Sequence, residues 1–292
     1  MRVLAVPVLA AALLAGCAAT KKPVVPAEQL WKEGNQAFSD EAWELAVERY
    51  KALLDQHPFD PNAEEAELKI AQAHYLAHRY AEAIAAFGDF ERMHPTSPNL
   101  PLVEYHLGMA YLAQASTSDR DQQSVTNALT YFRNLADRFP TSPWAEKARL
   151  RVRECRESLA RHETDVAAWY LRHHNLLAAE ARLRGLLREY PETDATAEAL
   201  HTFAGFYAGR NEKDAAQLAL ATLVRYHPDG PLAADARERL DHALDPAGAD
   251  PLPLLLARLE AMASQADRQN LPVVVSAYPN QPPTTRPALS PY

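Results

Sequence analysis

Five times along this chain an amphipathic run closes on a large or aromatic residue followed by proline: His57-Pro58, His94-Pro95, Phe139-Pro140, Tyr190-Pro191 and His227-Pro228. The prolines stand 37, 45, 51 and 37 residues apart. Self-similarity at a period of roughly 20–50 residues confines a chain to an array of small units, because one such unit cannot bury its own apolar face and must stack on its neighbours. Counting back from each proline shows what the unit is. Twelve residues before it stands Ala46, Ala83, Ala128, Ala179 or Ala216; eight before, Tyr50, Phe87, Phe132, Leu183 or Leu220; five before, Leu53, Phe90, Leu135, Leu186 or Leu223. A small side chain followed by large apolar ones at helical spacing describes a helix that lies close against a partner helix and buries one face.

Those positions match the second helix of the tetratricopeptide unit, and Gly34 and the Leu107-Gly108-x2-Tyr111 segment match the first. The expected fold is all-α: a tetratricopeptide-like superhelix of about five helical hairpins over residues 28–244, with repeats ending near 58, 95, 140, 191 and 228. Nine glycines and twenty-two prolines suit helices separated by sharp punctuation. Two intervals exceed the unit. The first predicts an inserted loop over Gln114–Ser124, containing Ser118-Asp119-Arg120-Asp121. In the second, no Gly or Pro occurs from Trp144 to Asn175, which predicts one helix from about 144 to 172, roughly 43 Å long at 1.5 Å per residue. Ser97-Pro98 and Ser142-Pro143 read as helix starts, with serine capping a backbone donor and proline in the first turn. A helix over Pro231–Leu244 should close the array, a further one is expected within 245–270, and the proline-rich stretch 271–292 reads as a disordered tail.

The first residues carry a different signal. Arg2 precedes an apolar run from Val3 to Ala19, too short for the ~20 residues that span a bilayer, so it reads as a cleaved export signal. Within it, Leu14-Ala15-Gly16-Cys17 resembles the bacterial lipobox, which predicts a signal peptide over 1–16, a diacylglyceryl (palmitate-type) lipid on Cys17 and a linker over 17–27. Cys155 is then the one free thiol. It shares a helical stripe with Trp144, Ala148, Val152 and Leu159, which favours an inert core cysteine over a reactive one. A net charge of −8 argues against nucleic acid as a partner.

No phosphate-binding glycine loop, nucleophile elbow, paired-cysteine motif or zinc-protease helix occurs. His74 and His78 stand one helical turn apart, but no third ligand accompanies them. No catalysis, metal or cofactor is therefore expected beyond the covalent lipid on Cys17. Arg149, Arg153 and Arg156 form a stripe on the long helix, either a solvated face supported by Arg153 with Glu157 or a docking surface for an acidic partner. In tetratricopeptide arrays the first helix of each hairpin lines the concave face. Trp31, Asn35, Phe38, Gln72, Tyr75, Tyr105 and Met109 are accordingly expected to line one peptide groove, where amides meet a backbone and aromatics meet side chains.

Lipobox, linker, five hairpins, the Ser118-Asp119-Arg120-Asp121 insertion, the fused helix and the segment from Arg182 to Pro191 together resemble the BamD family of outer-membrane-protein assembly lipoproteins, over about residues 13–225. The resemblance implies a lipid-anchored protein on the periplasmic face of the outer membrane. It implies a partner in the periplasmic domains of a BamA-like insertase, other lipoproteins of the assembly complex, and unfolded outer-membrane proteins as clients. It also places the insertase contact on the C-terminal repeats, where Arg182 and Arg188 stand on the second helix of the fourth hairpin. The alternative is another periplasmic tetratricopeptide lipoprotein, a pilus-assembly pilotin or a Tol-Pal and cell-division coordinator.

Overall fold

A computed structural model describes residues 24–116, 122–240 and 250–268. Within them the chain forms twelve helices and no strand. They run α1 (Ala27–Ser39), α2 (Trp43–Gln56), α3 (Ala63–Leu76), α4 (Tyr80–Met93), α5 (Leu100–Ser116), α6 (Gln122–Arg138), α7 (Pro143–Arg172), α8 (Leu176–Glu189), α9 (Asp194–Gly209), α10 (Lys213–Tyr226), α11 (Ala233–Arg239) and α12 (Pro251–Arg268). The first ten make five consecutive hairpins. The chain divides into two compact units, one up to Phe90 and one from Glu91 onward.

All fifteen positions counted back from the prolines are buried. Each of the large ones contributes about 1.5–3 kcal/mol by leaving water. Their close fit depends on a small residue on the facing first helix, twenty-four residues before the proline in four repeats: Gly34, Ala71, Ala167 and Ala204. In the third repeat the insertion shifts the equivalent to Gly108. A methyl group on Gly34 would lie 2.7 Å from the Tyr50 ring, and one on Gly108 would lie 2.5 Å from the Phe132 ring. The Tyr50 hydroxyl finishes the first hairpin by donating to Asn35 Oδ1 over 2.9 Å.

The turns inside the hairpins show a regularity that no residue type announces. Glu41, His78, His174 and Asn211 all have positive φ, between 57° and 63°. Each stands seventeen residues before its proline. The next residue donates its N–H to the carbonyl five residues back: Ala42 to Ala37, Arg79 to His74, Asn175 to Tyr170 and Glu212 to Tyr207. This is the left-handed helix stop that satisfies terminal carbonyls. It explains why glycines are few: four non-glycine residues take the strained conformation, held by that bond. It also removes the helical relation between His74 and His78. α3 ends at Leu76, and the His78 ring instead pairs with the Tyr80 hydroxyl at 2.7 Å.

The long helix runs from Pro143 to Arg172, capped by Ser142, whose Oγ accepts from Trp144 N at 3.2 Å. Its first half packs Ala145, Ala148, Cys155 and Leu159 against the third hairpin. Its second half packs Val166, Ala167, Tyr170 and Leu171 into the core of the fourth and fifth. Two adjacent cores thus share one continuous rod. Cys155 is buried, and burial together with Glu154 pushes its thiol up to about 12. Its modification by maleimide is therefore expected to be at least tenfold slower in the folded chain than in urea; equal rates would mean the stripe is not packed.

Several expectations are corrected. The insertion is mostly helix: α5 and α6 each extend to 17 residues, leaving only 117–121 outside the described residues, and Ser124 is buried on α6. Ser97 does not cap a helix that begins at Pro98. Its Oγ accepts from Asn99 N, and α5 starts at Leu100. The helix expected over Pro231–Leu244 is the short α11, Ala233–Arg239. Cys17, the signal segment, most of the linker and the tail 271–292 lie outside the described residues.

Candidate docking surfaces

In the first unit, α1 and α3 are neighbours, since Lys69 Nζ of α3 sits 4.8 Å from the centre of the Phe38 ring of α1. First helices of successive hairpins thus line up, bringing Trp31, Asn35, Phe38, Gln72 and Tyr75 onto adjacent helices, all half-buried. Three of them already have work to do in the fold. Trp31 packs on Tyr50 with ring centres 5.7 Å apart, Asn35 holds the Tyr50 hydroxyl, and Phe38 meets Trp43 edge-on at 5.1 Å. Tyr75 sits differently. It lines an open recess of about 1030 Å³ with Trp43, Leu45, Leu76, His78 and Tyr80. Leu45 and Leu76 are exposed there, and an ion pair between Arg79 and Glu44 stands at the same recess. The recess lies at the turn end of the hairpins, a place the first-helix pattern alone does not indicate.

Tyr105 and Met109 belong to the second unit, where both pack against the core around Phe132. The Tyr105 ring lies 4.9 Å from that of Trp144 and 5.7 Å from that of Phe132. Tyr105 is therefore as much a wedge between α5, α6 and α7 as a groove residue.

The arginine stripe on α7 separates into different roles. Arg149 is exposed and pairs with Glu146 at 3.1 Å. Arg153 is exposed and has no ion pair among the described residues; the expected Arg153–Glu157 pair does not form. Glu157 is taken by the start of α9, accepting from the N–H groups of Asp194 and Ala195 at 2.9 and 3.1 Å, and by Arg161 at 2.9 Å. A carboxylate there satisfies free amide donors and the positive end of the helix, which outcompetes one surface arginine. Arg156 is mostly buried: it pairs with Glu192, donates to the Glu189 carbonyl at 2.6 Å and lies over the Tyr190 ring. Arg156 thus pins α7 to the turn between α8 and α9 and offers little to a partner.

On α8, Leu183, Leu186 and Leu187 are buried, while Arg182 is half-buried and Arg188 exposed. Arg182 reaches Glu163 of α7 at 3.0 Å, at the rim of a recess of about 440 Å³ lined by Tyr170, Ala178, Ala181, Gly185 and Tyr190. Arg188 pairs with Glu260 of α12. That helix docks on α8 and α10 by burying Leu255 and Leu259 and by setting Arg258 against Glu212 at 2.5 Å. Arg258 also faces the Tyr207 ring, whose hydroxyl donates to the buried Glu180 at 2.7 Å. Burial holds the Glu180 carboxyl above its usual range. Sequence reasoning located the α12 segment but not its seat, because the ion pairs that hold it, Arg258 with Glu212 and Arg188 with Glu260, join residues 46 and 72 positions apart.

A family model described as YfiO, outer membrane lipoprotein, matches residues 23–219, ending within α10 and leaving α11 and α12 beyond it. The chain is 31% identical over 214 residues to the outer membrane protein assembly factor BamD of Caulobacter vibrioides, covering 70% of each chain. It is 32% identical over 204 residues to that of Vibrio cholerae, covering 66% of this chain and 85% of the relative. With that of Haemophilus influenzae it shares 30% identity over 205 residues, covering 65% and 77%. Among the described residues no helix is long and apolar enough to cross a membrane.

Proposed function

The chain belongs to the YfiO family of outer membrane lipoproteins and is an outer membrane protein assembly factor, and from that membership we propose that it works as a non-catalytic scaffold. In this reading Cys17 carries the lipid that holds the protein at the periplasmic face of the outer membrane. The C-terminal hairpins dock on the periplasmic domains of a BamA-like insertase, beside other lipoproteins of the complex. The first-helix residues of the N-terminal hairpins receive extended segments of unfolded outer-membrane proteins, with Tyr75 the best-placed of them. No cofactor takes part. The observation that carries the reading is the family match across 197 consecutive residues, which contains four hairpins and most of the fifth. A pilotin or a cell-division coordinator finds no support among the relatives named above.

The arginines of α8 suit an acidic partner because their present pairs are exchangeable. Surface ion pairs contribute only about 0–1 kcal/mol each, so carboxylates of a partner can replace Glu163 and Glu260 at small cost, and the guanidinium fork binds them in two places. Calorimetric titration of the mature chain against the purified periplasmic domains of the insertase tests this. The double variant Arg182→Glu, Arg188→Glu is expected to lose at least tenfold in affinity, about 1.4 kcal/mol, with an unchanged helical signal. Undiminished affinity would move the contact off α8, and no binding by the unaltered chain would sink the scaffold reading.

A further inference from the structure

The two most exposed of the large apolar side chains among the described residues are Phe59, at 98%, and Val24, at 72%. They are thirty-five residues apart in sequence but belong to one corner of the first unit. Val25 N donates to Gln56 Oε1 at 2.8 Å, and the His57 ring donates from Nε2 to Val25 O at 2.8 Å. The stretch of chain arriving from the N-terminus is thereby tied to the end of α2, immediately before the Phe59 turn. That turn is ordered rather than loose. Asp60 N donates to His57 O at 3.0 Å, Asn62 N to Asp60 Oδ1 at 2.9 Å and Ala63 N to Asp60 O at 2.9 Å, with Pro58 and Pro61 on either side. A rigid turn that holds a phenyl ring almost wholly in water exposes apolar surface that nothing in its own unit covers.

Where the chain comes from identifies the occupant. Cys17 lies seven residues before Val24, a span of at most about 25 Å fully extended. Lys21 and Lys22 lie on that span, suited to anionic headgroups. We propose that this corner is the edge of the first unit that rests on the bilayer, with Phe59 and Val24 entering the interfacial region of the leaflet that holds the lipid. The proposal rests on the Cys17 anchor of the preceding section. A short tether alone leaves the unit free to tumble, whereas a second, apolar contact beside the tether fixes which face of the first hairpin looks away from the membrane.

Fluorescence in vesicles tests the contact separately from the anchor. The mature chain is coupled through Cys17 to a maleimide phospholipid in phosphatidylethanolamine and phosphatidylglycerol vesicles, with the buried Cys155 left unmodified. Phe59→Trp is compared with Leu45→Trp, at the far end of α2 and eleven residues before Gln56, about 16 Å along the helix. The emission added by Phe59→Trp is expected to lose most of its intensity when the vesicles contain brominated acyl chains, while that added by Leu45→Trp persists. Unquenched emission at position 59, or equal quenching at both positions, would overturn the proposal; the former would assign Phe59 to a protein partner. Fatty-acid labelling of cells expressing the unaltered chain or Cys17→Ser tests the anchor itself, and equal labelling would overturn anchor and bilayer contact together.

Discussion

Gly108→Val is expected to destabilise the protein by about 3 kcal/mol, the upper part of the range for overpacking a filled core. The position tolerates no Cβ: one would stand 2.5 Å from Cε1 and 2.6 Å from Cζ of Phe132. The Phe132 ring is itself fully buried and braced by Tyr105, so it cannot swing aside. Even Gly108→Ala, which on an open helix gains up to about 1 kcal/mol, should lose stability here. Shortening the neighbour provides the check. Phe132→Leu alone leaves a cavity and weakens the fold, but combined with Gly108→Ala it should recover at least about 1 kcal/mol relative to the sum of the single effects. Urea titrations followed by circular dichroism decide, and strict additivity would show that this contact is not the cause. Gly185 is the internal control. A methyl group there would touch nothing, so Gly185→Ala should stabilise by about 0.5–1 kcal/mol.

A second large effect should appear as a dependence on pH. Glu104 of α5 is completely buried; Oε1 pairs with Arg138, while Oε2 has no hydrogen-bond partner. Burial pushes its carboxyl up from 4.5 to about 7, against the pull of Arg138 and with help from Glu91. The folded protein therefore holds this proton more tightly than the unfolded chain. Its contribution to stability is fully present below about pH 4.5 and is lost as pH rises through 7, amounting to about 3 kcal/mol in all. Between pH 5 and pH 8 the unaltered chain should lose most of that amount. Glu104→Gln, which cannot titrate, should remove that part of the slope and be the more stable form at pH 8. Glu180 is shifted in the same direction by burial, so Glu180→Gln belongs in the same series. Parallel slopes for Glu104→Gln and the unaltered chain would refute the assignment.

Much of the fold is legible in the sequence, and the residues say why. Ala46, Tyr50 and Leu53, with their counterparts in the other four repeats, are buried because helical spacing puts them on one face, and a repeat makes the same local choice five times. The continuous α7 was legible for a comparable reason: nothing between Trp144 and Asn175 interrupts a helix. Candidate surface residues were less so. Phe38, Tyr75 and Tyr105 carry the same pattern signal, yet Tyr75 lines an open recess while Tyr105 is wedged against Trp144 and Phe132. Periodicity reports which side of a helix faces inward, not how far a neighbouring helix covers its flank.

By itself, then, the sequence determined what depends on spacing along one or two helices: an all-α array of hairpins, its buried positions, its fused helix and a buried Cys155. Tertiary structure alone decided what depends on residues brought together from afar or on backbone angles without a residue signature. The left-handed stops at Glu41, His78, His174 and Asn211 use four positions filled by three residue types, so no composition rule marks them. Arg156 was committed to Glu192 and Glu157 to the start of α9 across more than thirty residues, overriding the short-range pairing that helical spacing favoured. The seat of α12, joining Arg188 to Glu260 and Arg258 to Glu212, is of the same kind. Local periodicity fixes which face a helix buries because every turn repeats the choice, whereas a single long-range ion pair is one contact among many of nearly equal energy, and only the packed chain selects it.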